Sequence, residues 1–187
     1  MFMGKIPQNA KCVFKGILFD VYQWQQEMFD GTQNTFEAVR RNNSVQIIAI
    51  NDKKQIILLE EEQPFIGKFI SLPGGVIDNN ETPRIAAIRE LMEETGMECE
   101  NITAWKDISF GSKIEWTTYY FIAKKCKKTK EPKLDSGEKI NTIFVSFEEF
   151  LEKIEDKQFR NKGFSDIMFR IKHTKGELEK FKKELFD

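Results

Sequence analysis

Histidine and cysteine are scarce: 187 residues contain one histidine and three cysteines. Cys12, Cys99 and Cys126 are odd in number and widely spaced, so they suit neither a disulfide framework nor a CxxC metal clip. Reduced thiols are expected. The single histidine, His173, lies among lysines in the tail and reads as a surface residue. No apolar run approaches the ~20 residues of a membrane span, and the N-terminus carries no signal-peptide pattern. A soluble, cytoplasmic protein with no membrane partner is therefore expected. An excess of one charge is also missing. Lysine and arginine total 29 against 30 acids, a net charge of -1, which argues against a general nucleic-acid binder. Internal repeats and low-complexity linkers are absent as well.

What is present is core material. Seventeen phenylalanines and 40% hydrophobic residues support a packed interior. A chain of this length buries roughly 70% of its unfolded surface without a disulfide or structural metal. From Cys12 to Phe29 aromatic and β-branched residues partly alternate, Asp30-Gly31 makes a turn, and Thr35 to Arg40 resumes the pattern. That predicts an N-terminal β-meander over residues 1–43, with Gly16 at a bulge. Residues 44–187 form the main domain. Short strands are expected at Val45–Ile50, Gln55–Leu59 and Phe69–Leu72, where Pro73-Gly74-Gly75 ends the series. A helix follows from about Thr82 to Thr95, with Pro83 in its first turn, Gly96 at its end, and Ile85, Ile88, Leu91 and Met92 facing the core. Strands at Ile102–Phe110 and Lys113–Ala123, a solvated lysine-rich loop Lys124–Lys133 and a strand Lys139–Val145 come next. Ser146 caps a short helix with Phe147, Phe150 and Leu151 turned inward. A terminal helix from Phe164, without a catalytic role, completes the chain. The class is α/β (α+β): a sandwich with a mixed sheet, preceded by a small antiparallel sheet.

The end of the central helix is unusual. Glu90, Glu93 and Glu94 share one side of it at i,i+3 and i,i+4 spacing, where like charges repel. The negative end of the helix dipole disfavours anions there too. A divalent cation would supply the missing positive charge, since hard ions prefer carboxylate oxygens.

Counting the spacing gives a pattern. Gly75 is followed by five residues to Glu81, then seven to Arg89-Glu90, then Leu91, Met92, Glu93-Glu94, Thr95, Gly96 and Met97. This resembles the Nudix hydrolase box, G-x5-E-x7-R-E-U-x-E-E-x-G-U, at every defined position. The resemblance implies an α/β/α sandwich with the box as a loop-helix-loop. It also implies cleavage of a nucleoside diphosphate linked to another group, by water attack on phosphorus. By similarity Glu90, Glu93, Glu94 and the Gly74 carbonyl would hold Mg²⁺ (or Mn²⁺), and Arg89 would orient a glutamate.

The order of a strand meander, VRRNNSVQIIAI, EEEQPF and FISLPGG is similar to the ADP-ribose and nucleoside-diphosphate-sugar pyrophosphatase branch. That branch implies a homodimer with the front sheet exchanged and a base-stacking aromatic from it, for which Phe14, Tyr22, Trp24 and Phe29 are candidates. Glu62, in the EQ segment, and Glu115, in SFGSKIE, are further substrate-contact candidates. Proline follows Gln63 where relatives carry an arginine nearby, which leaves Arg40 or Arg41 to contact a terminal phosphate. Phe110 and Ile114 depart from the branch's S-P-G-F-S-D-E loop. The general base of the branch lies on a loop before a late strand, which here points to Glu138, with Asp135 second. Expected products are a nucleoside monophosphate and a sugar phosphate. The alternatives are a Nudix hydrolase of a nucleoside triphosphate, a dinucleotide or capped RNA, and a non-catalytic nucleotide sensor.

Overall fold

The front of the chain folds into its own small sheet. Lys11–Lys15 (β1), Asp20–Glu27 (β2) and Gln33–Arg40 (β3) pair antiparallel in that order, and Ile114–Glu115, labelled β9 in chain order, joins the far side of β3 in parallel. The computed structural model describes residues 6–111, 113–134 and 136–187. Ser112 of the SFGSKIE loop and Asp135 lie outside these. Gly16 is not the bulge. It sits in the β1–β2 turn, where its N–H donates to the Phe19 carbonyl at 3.1 Å, and the register shift falls between Cys12 and Phe14.

The second sheet has seven strands. They are Ser44–Asn51 (β4), Ile56–Gln63 (β5), Gly67–Ser71 (β6), Met97–Glu98 (β7), Asn101–Ser109 (β8), Thr117–Lys128 (β10) and Lys139–Val145 (β11). The central path runs β11-β5-β4-β10-β7, with β6 on β5 and β8 on β10. The β4–β10 contact is parallel and the rest are antiparallel, so the sheet is mixed. Apolar residues run continuously through VQIIAI because β4 is buried on both faces. Val45, Ile47 and Ala49 face one core with Ala86, Ala87 and Leu91 of helix α1 (Pro83–Thr95). Ile48 and Ile50 face the other, with residues of α2 (Phe147–Lys153), α3 (Lys162–His173) and α4 (Glu177–Phe186). Helices thus cover both faces, giving the expected α/β sandwich.

Four expectations need correction. Lys113–Ala123 is two strands rather than one. Asn43 Oδ1 accepts the Thr117 N–H at 2.8 Å and the Trp116 carbonyl accepts the Phe110 N–H at 2.9 Å, so β9 and β10 serve different sheets. β10 then runs on to Lys128, absorbing a left-handed Lys125 (φ 55°), so half of the lysine-rich loop is strand. The tail is two helices, α3 and α4, broken around Gly176 (φ 81°). Helix α1 is capped as expected by Thr82 and Gly96, but Ile85 (52% exposed) and Ile88 (41%) face outward.

Candidate active site

Helix α1 delivers its carboxylates in two directions. Glu94 lies on the buried face beside Leu91 and Thr95, and its Oε2 accepts the Gly74 N–H at 2.8 Å. Gly74 has φ 150°, and a Cβ there would collide with the Val45 carbonyl, so the loop passes this close to the sheet because the residue is glycine. Burial raises the Glu94 carboxyl well above its ordinary range; Glu61, Glu90 and Glu138 push it further, and the Gly74 N–H opposes them. Glu90 is raised too, first by burial, with Arg89 opposing and Glu93 and Asp78 adding.

Arg89 occupies the other direction. Its Nε and Nη2 grip both oxygens of Glu81 at 2.9 Å, its Nη1 reaches Glu90 at 2.9 Å and Glu93 at 3.0 Å, and Nη2 also donates to the Val76 carbonyl. The Glu81 bonds, followed by those to Glu93 and Glu90, hold Arg89 firmly charged. Among the described residues no three Asp, Glu, His or Cys side chains close on one point. Arg89 instead holds one oxygen each of Glu90 and Glu93. The donor set still fits a hard divalent cation. Glu94 interacts with Glu61, Glu90 and Glu138, and burial already disfavours the charge of Glu61, Glu90 and Glu94.

Two of those four come from elsewhere in the fold. Glu61 on β5 is buried, accepts a short hydrogen bond from Ser71, and has its carboxyl raised by burial. Gln63 Nε2 bridges Glu61 Oε2 (3.4 Å) and Glu138 Oε1 (3.3 Å), while its Oε1 accepts from Arg160 at 3.4 Å. Glu138 stands just before β11, after Gly137 (φ 109°). Sequence reasoning missed Glu61 and Arg160. Glu61 reads as one acid in a run of three, and Arg160 precedes a segment assigned to the tail.

A cavity of about 450 Å³ opens beside this cluster, lined by Glu61, Gln63, Glu94, Glu138, Arg160 and the Gly74-Gly75 turn, with Gln46, Thr118 and Tyr120 from the sheet. A second hollow of about 420 Å³ lies against Glu90, Glu93 and Arg89 and shares Gly74, Gly75, Glu94 and Glu138. The expected substrate contacts sit elsewhere in this chain. Trp24 packs on Phe36 with centroids 5.9 Å apart and donates to Gln26. Arg40 pairs with Glu115 at 2.5 Å and with the Tyr22 hydroxyl at 3.0 Å. Glu62 lies 3.6 Å from Lys139. None of the four lines the cavity among the described residues. Arg41 does line it, stacked on Trp116, which itself stacks on Phe110 at 4.3 Å.

The model of the NUDIX domain matches residues 40–166. The chain belongs to the NUDIX family. It is a Nudix hydrolase, resembling the ADP-ribose pyrophosphatase branch. It is 30% identical over 165 residues, 83% of this chain and 88% of the other, to a protein of Bacillus methanolicus named Methanol dehydrogenase activator. It is 26% identical over 152 residues, 78% and 80% respectively, to ADP-ribose pyrophosphatase of Bacillus subtilis (strain 168). The crystal structure of an ADP compounds hydrolase superposes with a TM-score of 0.75, covering 95% of this chain and 93% of that one at 22% identity, and so shares the fold. Nudix hydrolases generally use divalent cations and act on small-molecule nucleotides. No described helix is long and apolar enough to cross a membrane.

Proposed function

We propose that this Nudix hydrolase cleaves the diphosphate of a nucleoside diphosphate sugar, ADP-ribose foremost, to a nucleoside monophosphate and a sugar phosphate. The observation that carries this is that Glu61, Glu94 and Glu138 line one polar cavity, with Glu90 close enough to raise the Glu94 carboxyl. Glu90, Glu93, Glu94 and the Gly74 carbonyl would hold Mg²⁺ or Mn²⁺. A divalent cation there supplies positive charge against the diphosphate and makes water more acidic. Glu138 takes the proton of the attacking water, held for that task by Gln63. Arg89 positions Glu90 and Glu93, and Glu81 anchors Arg89 in turn.

Trp24, Arg40, Glu62 and Glu115 lie outside their own chain's cavity, so a role in substrate binding would be exercised across a homodimer. Val13, Phe14, Ile17, Leu18 and Phe29, all more than half exposed in the front sheet and its turns, supply an apolar face for a second copy. The similarity to Methanol dehydrogenase activator supports a second reading, in which this chain raises the rate of an alcohol dehydrogenase.

A substrate panel with Mg²⁺ tests the proposal. It contains ADP-ribose, UDP- and GDP-sugars, NADH, diadenosine polyphosphates and dNTPs, with AMP-type products followed. ADP-ribose or another nucleotide sugar should give the highest kcat/KM. Tight nucleotide binding without hydrolysis of any diphosphate would instead identify a sensor. The second reading is checked by adding the chain to an alcohol dehydrogenase and measuring its rate.

A further inference from the structure

One polar group on the cavity wall lacks a partner on the protein. Side chains alternate along β4, so Ser44, Gln46, Ile48 and Ile50 share the face turned away from α1. Ile48 and Ile50 belong to the core under α2, α3 and α4, and Gln46 and Ser44 continue that row into the cavity. On β10, paired in parallel, Ile122 gives way to Tyr120 and Thr118 at the same level. The apolar core therefore ends, and the cavity begins, at Gln46.

The polar neighbours of Gln46 are satisfied. Ser44 Oγ and Thr118 Oγ1 bond each other at 2.9 Å, and Trp116 Nε1 donates to Ser44 Oγ at 3.1 Å. Gln46 Oε1 is buried without a hydrogen-bond partner among the described residues, although the residue as a whole is only half-buried. An unmatched buried acceptor costs stability, and an apolar side chain would have extended the core without that penalty. A donor on a ligand removes the penalty.

Gln46 also stands beside the chemistry. A Cβ on Gly74 would lie 2.9 Å from the Gln46 Cα, and the Gly74 N–H donates to Glu94. The substrate group within reach of the amide is therefore a near neighbour of the diphosphate. In a nucleoside diphosphate sugar the groups bonded directly to the diphosphate are the two sugars, whose donors are hydroxyls.

We infer that Gln46 is a specificity-determining residue that accepts a hydrogen bond from a neutral donor of the substrate, a sugar hydroxyl beside the diphosphate. This rests on the reading of the site as one for a nucleoside diphosphate sugar. The exocyclic amine of a base offers the same hydrogen bond, and experiment separates the two. A pocket built around an acceptor rejects a substrate lacking the donor far more strongly than an apolar pocket rejects a missing methylene.

A cycle between side chain and substrate is the test. Gln46→Met keeps the length of the side chain and removes the strong acceptor. With Mg²⁺ present, kcat/KM is measured for ADP-ribose, for forms lacking one hydroxyl on either ribose, and for the inosine analogue, which lacks the amine. Gln46→Met should lower kcat/KM for ADP-ribose about tenfold or more, and wild type should lose a similar factor on one deoxy form. On that form the variant should be as fast as wild type or faster, whereas the other analogues should lose equally in both proteins. Coupling to the inosine analogue instead would assign the bond to the base and overturn the sugar. Losses that multiply for every analogue would overturn the inference altogether. Without ligand, Gln46→Met should melt no lower than wild type, because an unmatched acceptor is gone; a clearly lower melting temperature would mark the amide as structural and overturn the inference too. The same cycle on binding, by calorimetry with Mg²⁺, covers a protein without turnover. Coupling there would refute the hydrolase reading and leave the role of Gln46 standing, and neither binding nor turnover of any nucleotide sugar would overturn both.

Discussion

Arg89 and Arg41 are both partly buried, yet their surroundings differ. Arg89 meets three glutamates, and Arg41 meets rings and another cation. The first arrangement is structural, and pH tests it. The bond from Arg89, with a backbone bond from Asp78 assisting, lowers the Glu81 carboxyl below its ordinary value. A depressed carboxylate stabilises the fold above its unfolded pKa, and that contribution disappears as pH falls through the folded value. Melting curves should therefore show Glu81→Gln well below wild type at pH 7, with the gap closing below about pH 4.5. Glu138 tests the chemistry. Glu138→Gln should lower kcat by roughly 10²–10⁴-fold in steady-state assays while KM changes far less. Cysteine gives a third check. Burial pushes the Cys126 thiol up to about 12, whereas Cys12 is exposed. At pH 8 roughly one Cys126 in ten thousand is thiolate, so mass spectrometry after brief alkylation should find Cys12 modified and Cys126 intact until the chain is unfolded.

Elements show where the sequence could be read and where it could not. The box glutamates were legible because their spacing is local, and the caps Thr82 and Gly96 were legible for the same reason. The buried face of α1 was not. Ile85, Ile88 and Met92 form one helical stripe, and Ala87, Leu91, Glu94 and Thr95 form another of the same period. The second is buried because Ala86 and Ala87 allow close approach to β4 and Glu94 reaches the Gly74 N–H. Periodicity alone cannot choose between stripes when one of them carries a carboxylate. Glu61 and Arg160 were illegible for a related reason. Their meeting depends on the β5–β6 register and on the Arg160 N–H donating to the Ile70 carbonyl, contacts between residues distant in sequence. Helix α3 fastens that segment. Phe164, fully buried, lies within 6.3 Å, centroid to centroid, of Trp105, Tyr120, Phe150 and Phe159. Phe164→Ala should cost about 3–5 kcal/mol in denaturant unfolding, with activity falling as the Arg160 segment that lines the cavity loses its support.

At the scale of the whole molecule, the two sheets divide the work. The seven-stranded sheet and its helices hold the acidic cluster between two cores, while the four-stranded sheet presents apolar side chains to solvent. That division explains why a near-neutral chain can hold two strongly unbalanced patches: acids at the end of α1 and arginines across the cavity. Each is costly alone unless opposite charge completes it. The proposed function requires Glu94 and its neighbours to gather a divalent cation for diphosphate cleavage. The direct measurement is AMP release from ADP-ribose as Mg²⁺ is titrated, in wild type and in Glu94→Gln, with folding followed by circular dichroism. Wild-type turnover should rise from background with Mg²⁺ and vanish in EDTA, and the folded variant should be slower by orders of magnitude at every concentration. Undiminished turnover in Glu94→Gln, or AMP release by wild type that ignores EDTA, would contradict the account.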